Sequence, residues 1–232
     1  MKFIEKLHMF HRFWRYRLRS EKDEIGFILS QQLSGTTVLD VGAHRGIYSY
    51  WMSKKAGEGG KVFAFEPQPE LRPFLEDLKS AFHLDNLTVV DKALSEHSGS
   101  EMLQRDELSA GGASFHVGGV AEEVRVELIS LDEYLVDKQV PRVSLIKADV
   151  EEHELSVFKG GARVIERDKP MLLFECQHHL AKKGELFRYL RNLGYDGFFF
   201  DRGKRVHYSK FDDAPYNEEQ GYRNYVFVYD SH

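Results

Sequence analysis

An open, mostly parallel β-sheet covered by helices on both faces is the α/β fold this sequence predicts. Three observations predict it. Short apolar runs of strand character recur along the chain, separated by segments with a helical apolar period. The first run breaks into a glycine turn, VLDVGAHRG (Val38–Gly46), of the kind that joins a strand to a helix beside a ligand. The chain has 232 residues, 42% hydrophobic and 30% charged, which is enough to bury a core without disulfides or metals.

The chain opens on MKFIEKLHMFHRFWRYRLRS, which sets Phe3, Ile4, Leu7, Phe10, Phe13, Trp14 and Leu18 at near-helical spacing. Lys2, Lys6, Arg12, Arg15, Arg17 and Arg19 lie between them. The pattern predicts a basic amphipathic helical arm over residues 1–30, ahead of one α/β domain over 31–232. The arm is too interrupted by charge for a signal peptide, and no apolar run approaches the ~20 residues of a membrane span. Such an arm can lie on an anionic membrane, bind a partner, or pack on its own domain with its arginines reaching back to water.

Strand-like runs follow at Thr37–Val41, Lys61–Phe65, Leu87–Val90, Val143–Ile146, Met171–Phe174, Gly197–Phe200 and Tyr225–Tyr229. Between them, Leu71, Phe74, Leu75, Leu78 and Phe82 keep one helical face, and Leu155, Phe158, Ala162 and Ile165 keep another. Leu186, Leu190 and Leu193 make a third, ended by Gly194. Continuous apolar strands alternating with helices call for a parallel sheet buried on both faces. Residues 96–130 break this rhythm with scattered glycines and an alternating VRVEL, which predicts an inserted hairpin or lid. His116 and Arg125 in it are candidate acceptor contacts, or ordinary exposed loop polarity.

In such a sheet, ligands bind outside the carboxyl ends of the strands, so the glycine turn marks the site. A nicotinamide cofactor asks for a glycine two positions after Gly42, where this chain has His44. Glu66, twenty residues beyond Gly46 in VFAFEP, can accept hydrogen bonds from ribose hydroxyls of either kind of adenosine cofactor. Asp40 favours a ligand carrying an amine or a sulfonium over one carrying a pyrophosphate. S-adenosylmethionine has both groups.

VLDVGAHRGIYSYWMSKKAGEGGKVFAFEPQP, then VVDKALSEHSG, ISLDEYL and VSLIKADVEEHELSVFKGG, resemble in order the FkbM family of class I S-adenosylmethionine-dependent methyltransferases. The resemblance implies a Rossmann-like seven-stranded sheet with its last strand antiparallel. It also implies that Asp40, Gly42 and Gly46 line the methionine end of the cofactor, that Glu66 holds the ribose, and that Asp91 runs beside the adenine. His44 and Pro67 complete the candidate cofactor-binding set. The family usually has glycine where this chain has Glu152.

The methyl acceptor implied by the family is a sugar hydroxyl in a surface polysaccharide or a secondary metabolite, a small-molecule or glycan partner. A hydroxyl must lose its proton as the methyl arrives, and a positioned base is worth about 10²–10⁴-fold. Asp149 with His178 is the favoured pair, with Glu175 and His179 as alternatives. Asp149, Glu175 and His178 are also a candidate divalent-cation set, although their spacing matches no tight metal motif. The net charge of -5 and Asp-Val-Glu-Glu in place of an Asn/Asp-Pro-Pro-aromatic motif argue against nucleic-acid methylation. The single cysteine, Cys176, suits a reducing cytoplasm and a buried thiol, with the arm leaving open a position at the membrane face. Two rival readings are a nicotinamide-dependent dehydrogenase and a non-catalytic protein that only binds S-adenosylmethionine.

Overall fold

Eight strands form the central sheet of the computed structural model, which describes residues 1–105, 113–114, 122–136, 138–214 and 221–230. The chain begins with helix α1 (Phe3–Arg15), a wide π turn (Tyr16–Ser20) and α2 (Lys22–Ser30). The first half of the sheet is laid down by β1 (Thr37–Val41), α3 (Ile47–Ala56), β2 (Lys61–Phe65), α4 (Leu71–Phe82) and β3 (Leu87–Val90). An excursion follows, made of β4 (Ala93–Leu94), β5 (Gly99–Arg105), β6 (Ala113–Ser114), β7 (Glu122–Ile129) and α5 (Leu131–Leu135). The second half comprises β8 (Val143–Ala148), α6 (Glu154–Gly160), α7 (Ala162–Asp168), β9 (Met171–Gln177), α8 (His178–Lys183) and α9 (Glu185–Asn192). It closes with β10 (Tyr195–Asp201), β11 (Lys204–His207) and β12 (Tyr222–Tyr229).

The sheet order is β11-β10-β12-β9-β8-β1-β2-β3. Strands β9, β8, β1, β2 and β3 run parallel, and β12 is antiparallel to both β9 and β10. The last strand is therefore antiparallel and wedged inside the sheet. The strand count is eight rather than the seven expected, because Lys204–His207 folds back on β10 as a short edge strand. Its sequence, KRVH, carries one apolar residue and no period long enough to announce a strand.

Neighbouring residues of each central strand point to opposite faces. Val38, Leu145, Leu173 and Val226 pack under α1 to α4, with Phe13, Ile28, Trp51 and Leu78. Leu39, Ile146, Leu172 and Phe227 pack under α5 to α9, with Leu135, Phe158, Ile165 and Leu190. This two-residue alternation of two apolar faces is why the strands read as unbroken apolar runs. The aromatic run FFF and the late YVFVY are core strand: Phe199, Tyr225 and Phe227 are buried, as is Cys176.

The helix expected across Leu155–Ile165 is two helices, α6 and α7, parted at Gly161. A side chain at Gly160 would sit 2.0 Å from the Ser95 carbonyl oxygen, and one at Gly161 would meet Leu131 Cδ2 at 2.9 Å. Both glycines let the excursion's ends press against the helix layer. In the excursion itself, β5 pairs antiparallel with β7 from Gly99 opposite Leu128 to Arg105 opposite Glu122. His116 lies outside the described residues. Arg125 is exposed and donates to Ser100 Oγ across the hairpin, at 2.8 Å from one terminal nitrogen.

Candidate functional site

Strand order reverses beside β1: the chain proceeds outward through β2 and β3, then crosses to β8 and β9 on the other side. Two cavities open at the carboxyl ends of these strands, the position expected for a ligand in an open α/β sheet. Gly42, His44, Asp149 and Glu151 line both. The smaller, about 130 Å³, is bounded by Glu66, Pro67, Lys92, Leu103 and His153. The larger, about 600 Å³, is bounded by Lys147 and Glu175 from the sheet and by Arg12, Tyr16 and Glu21 from the N-terminal arm.

The glycine turn is built by the chain's own packing. Gly42 has φ +74°, and a side chain there would lie 1.9 Å from the Asp149 carbonyl oxygen. Gly46 has φ +71°, and a side chain there would press on Leu75 Cδ2 at 3.0 Å. Only glycine adopts this backbone without strain, so both positions are explained without a ligand. His44 also lies in the left-handed region, at φ +47°, with its amide donating to Glu66 Oε2 at 2.7 Å. The Gln68 amide donates to Glu66 Oε1 at 3.0 Å. The buried Glu66 carboxylate thus holds the glycine turn and the β2 exit together on the wall of the smaller cavity. Burial raises its pKa, and the amides of Gln68 and His44 work against that rise.

Lys147, a residue the sequence reading passed over, is the centre of the larger cavity's floor. It is buried on β8, with Nζ 3.2 Å from Asp149 Oδ2, 3.7 Å from Asp40 Oδ1 and 4.9 Å from the Tyr48 ring centroid. Asp149 and Asp40 together outweigh its burial and raise its pKa, so it is an ammonium. Asp40 itself is wholly buried. Its Oδ2 accepts from Ser49, and its Oδ1 accepts no hydrogen bond from any described residue. The amine that answers Asp40 is Lys147 of the same chain, and Asp40 lines neither cavity. A second cluster closes the wall opposite: Glu21 Oε2 accepts from the Tyr48 hydroxyl at 3.0 Å and from Asn224 Nδ2 at 3.1 Å.

The remaining expected residues divide. Glu175 lines the larger cavity, its pKa pushed well up by burial and then by the charges of Asp149 and Glu151. His178 does not pair with Asp149. It starts α8 beyond the end of β9, outside both cavity walls, with Nε2 3.2 Å from Asp212 and its ring against Phe211. His179 faces Glu152 at 3.6 Å. Asp91 is half-exposed and paired with Arg72 of α4, and its neighbour Lys92 lines the smaller cavity instead. The cation set Asp149, Glu175 and His178 is therefore not assembled, and no group of three or more metal-ligating side chains converges among the described residues. Sequence signals for Lys147, Tyr48 and Asn224 were weak, because each sits in an ordinary apolar strand or helix pattern. Arg12, Tyr16 and Glu21 carried none that linked them to a site over a hundred residues away in the chain.

The donor set fits S-adenosylmethionine. A buried carboxylate in the cavity wall suits ribose hydroxyls, and a cavity bounded by Leu103, Pro67 and Phe65 suits a flat base. The junction of the two cavities, at Gly42 and Asp149, leaves room for the methyl-bearing end.

Comparison with known proteins agrees with this geometry. A curated relative, the hexuronic acid methyltransferase AglP of Haloferax volcanii, is 31% identical over 154 residues, 66% of this chain and 62% of that protein. The chain thus spans less than two thirds of that relative's length. Methyltransferase FkbM from Methylobacillus flagellatus has a TM-score of 0.58 at 18% identity, covering 86% of this chain and 45% of that one. SMU.1697c from Streptococcus mutans, solved in complex with SAH, has a TM-score of 0.53 at 8% identity, covering 90% and 97%. At such identities the likeness shows the fold, the Rossmann-like α/β fold of class I methyltransferases. Residues 40–196 match the model of the Methyltransferase FkbM domain, from the aspartate beneath the glycine turn through both cavity-lining strand ends. The chain belongs to the FkbM methyltransferase family.

Proposed function

We propose that this chain is an S-adenosylmethionine-dependent O-methyltransferase acting on a sugar hydroxyl of a glycan that contains hexuronic acid. The observation that carries the reading is the junction of the two cavities at Asp149, one side suited to an adenosine and the other open to an acceptor. S-adenosylmethionine, held by Glu66 and the glycine turn, supplies an electrophilic methyl carbon. The chain's own task is to orient the hydroxyl and remove its proton. Asp149 is the base: its carboxylate lines the junction, 3.2 Å from the Lys147 ammonium. Burial, and then the charges of Asp149 and Glu151, push the Glu175 carboxyl up to about 9, which suits it to donate to the sugar and not to act as the base. His178 faces Asp212 and takes no part. No metal enters this reading.

The acceptor class is supported by the relative's name and by the arginines of the larger cavity. Arg12 and Arg45 both line it, and the buried Nε of Arg12 has no hydrogen-bond partner among the described residues. A guanidinium in that state suits a planar carboxylate.

The experiment is transfer of label from methyl-tritiated S-adenosylmethionine to glycans ending in hexuronic acid, compared with the matching neutral hexose glycans, with and without EDTA. The expected result is alkali-stable label in the uronic glycans, unaffected by EDTA. Alkali-labile label would mean a methyl ester, made on a carboxylate that needs no base, and would overturn the hydroxyl assignment. Binding of SAH without label in any fraction would favour a non-catalytic protein. Label lost with EDTA would restore the metal.

A further inference from the structure

The N-terminal helix carries two apolar faces, and the fold uses one. Met9 and Phe13 turn inward, with Phe13 stacked on Tyr50 at 3.9 Å and edge-on to Phe82. The outer face presents Phe3, Leu7, Phe10, Trp14 and Leu18 at steps of three and four residues, with Ile4 beside them. Phe3 is 82% exposed, Ile4 66%, Leu18 60% and Leu7 57%. Of the eight large hydrophobic side chains exposed among the described residues, six are these. An apolar patch this concentrated marks an interaction surface, whereas single exposed leucines need no explanation.

The charge around the patch identifies the partner. The first twenty residues hold six Lys and Arg and one acid, Glu5, in a chain whose net charge is -5. Glu5 is spent on the helix start, where its carboxylate accepts from the Lys2 amide at 2.8 Å. Lys2, Arg15 and Arg19 are exposed beside the apolar row. Arg17 lies over the rings of both Trp14 and Trp51, at 4.9 and 4.7 Å, and the two rings meet edge to face with centroids 5.4 Å apart. Among the described residues, no helix is long and apolar enough to cross a membrane. A convex, single-helix apolar strip rimmed by cations suits lipid headgroups and acyl chains, which conform to it. A second copy of the chain meeting it face to face would bring two basic rims together.

We infer that the outer face of α1 and of the π turn that continues it binds an anionic bilayer surface, with the strip of Phe3, Leu7, Phe10, Trp14 and Leu18 buried at the headgroup boundary. The inner side of the same segment lines the larger cavity through Arg12 and Tyr16, so docking holds that cavity beside the membrane. Binding to lipid does not depend on the methyl-transfer reading, and the test separates the two.

The test is flotation of the full chain with phosphatidylglycerol–phosphatidylcholine vesicles against phosphatidylcholine vesicles, at low and high salt. Tryptophan emission is followed in parallel: Trp51 is buried and Trp14 is 37% exposed, so a change on lipid addition reports Trp14. Expected is flotation with anionic vesicles at low salt, a blue shift, and a loss of affinity of about tenfold or more in the L7E/F10E double variant. SAH binding by that variant is expected to stay at the wild-type value, which certifies its fold. Should it fail to fold, K2E/R19E keeps the test open: it must weaken binding to anionic vesicles at low salt. No flotation by the wild type, or equal flotation by the variants, overturns the inference. So does a dimer in solution that L7E/F10E dissociates without any lipid affinity, which would assign the face to a second copy.

Discussion

Glu152 has φ +75°, and Glu151 before it has φ +48°. The turn after β8 is left-handed at both, which is why the family resemblance leads one to expect glycine at the second. A side chain there costs about 1 kcal/mol of backbone strain. In this chain the carboxylate so introduced reaches His179 at 3.6 Å and ties the β8 turn to α8. The same turn gathers carboxylates around one buried cation, and Glu154 shows the consequence. Burial first, and then the charge of Asp149, push its carboxyl from an ordinary value of 4.5 up to about 8. Between those values the folded chain holds a proton that the unfolded chain has released, so this group's contribution to stability falls as pH rises from about 4.5 to about 8. Replacing Glu154 by Gln keeps an oxygen to accept the Val150 amide, now 3.2 Å away, and removes the titration. Urea unfolding at a series of pH values should find E154Q more stable by roughly 2–4 kcal/mol at pH 8, with the gain vanishing near pH 4.5.

At the scale of elements, α1 is where sequence pattern and packing diverge most. Its spacing identified an amphipathic helix but not which side faced inward. Phe13 lies in the same apolar stretch as Phe10 and Trp14, and it alone among the aromatic side chains of α1 is wholly buried. The stack on Tyr50 fixes the helix against α3 and thereby fixes Arg12 and Tyr16 in the cavity wall. Phe13→Ala should cost about 3–5 kcal/mol in urea unfolding, since the surrounding rings cannot close the gap. If the arm detaches before the sheet unfolds, trypsin cleavage at Arg17 and Arg19 should accelerate under native conditions. The split of α6 from α7 was hidden for a similar reason. The apolar period runs on through Gly160 and Gly161, and only the approach of Ser95 and Leu131 shows why the helix stops.

At the scale of the molecule, the two cavities have different origins along the chain. The smaller is made from residues within the matched span of 40–196. The larger draws Arg12, Tyr16 and Glu21 from before that span and Tyr222 and Asn224 from after it. Acceptor choice should therefore be separable from cofactor affinity. Arg12→Ala should raise the acceptor KM about tenfold or more while SAH affinity, read by calorimetry, changes less than about twofold. Asp149→Asn should instead lower kcat by about 10²–10⁴ at a nearly unchanged acceptor KM. A common loss of both parameters in both variants would argue that the cavities act as one.

The fold class was legible because it rests on local signals: apolar runs too short for helices, helical periods between them, and a glycine turn that only a left-handed backbone explains. The placement of Glu66 and Asp149 in the cavity walls was legible too, since strand ends bring whatever follows them to one edge of the sheet. The edge strand β11, the partner of Asp40 and the position of His178 outside both cavities were not. Each depends on pairing between residues distant in the chain: Lys147 reaches Asp40 across the β1–β8 register, and His178 turns away from the site because α8 begins one residue after β9 ends. Sequence by itself determined the sheet, its ligand-binding edge and an amphipathic arm. Only the tertiary structure decided which charges answer one another and which face of the arm is left to the outside, because burial and charge pairing are properties of neighbours in space.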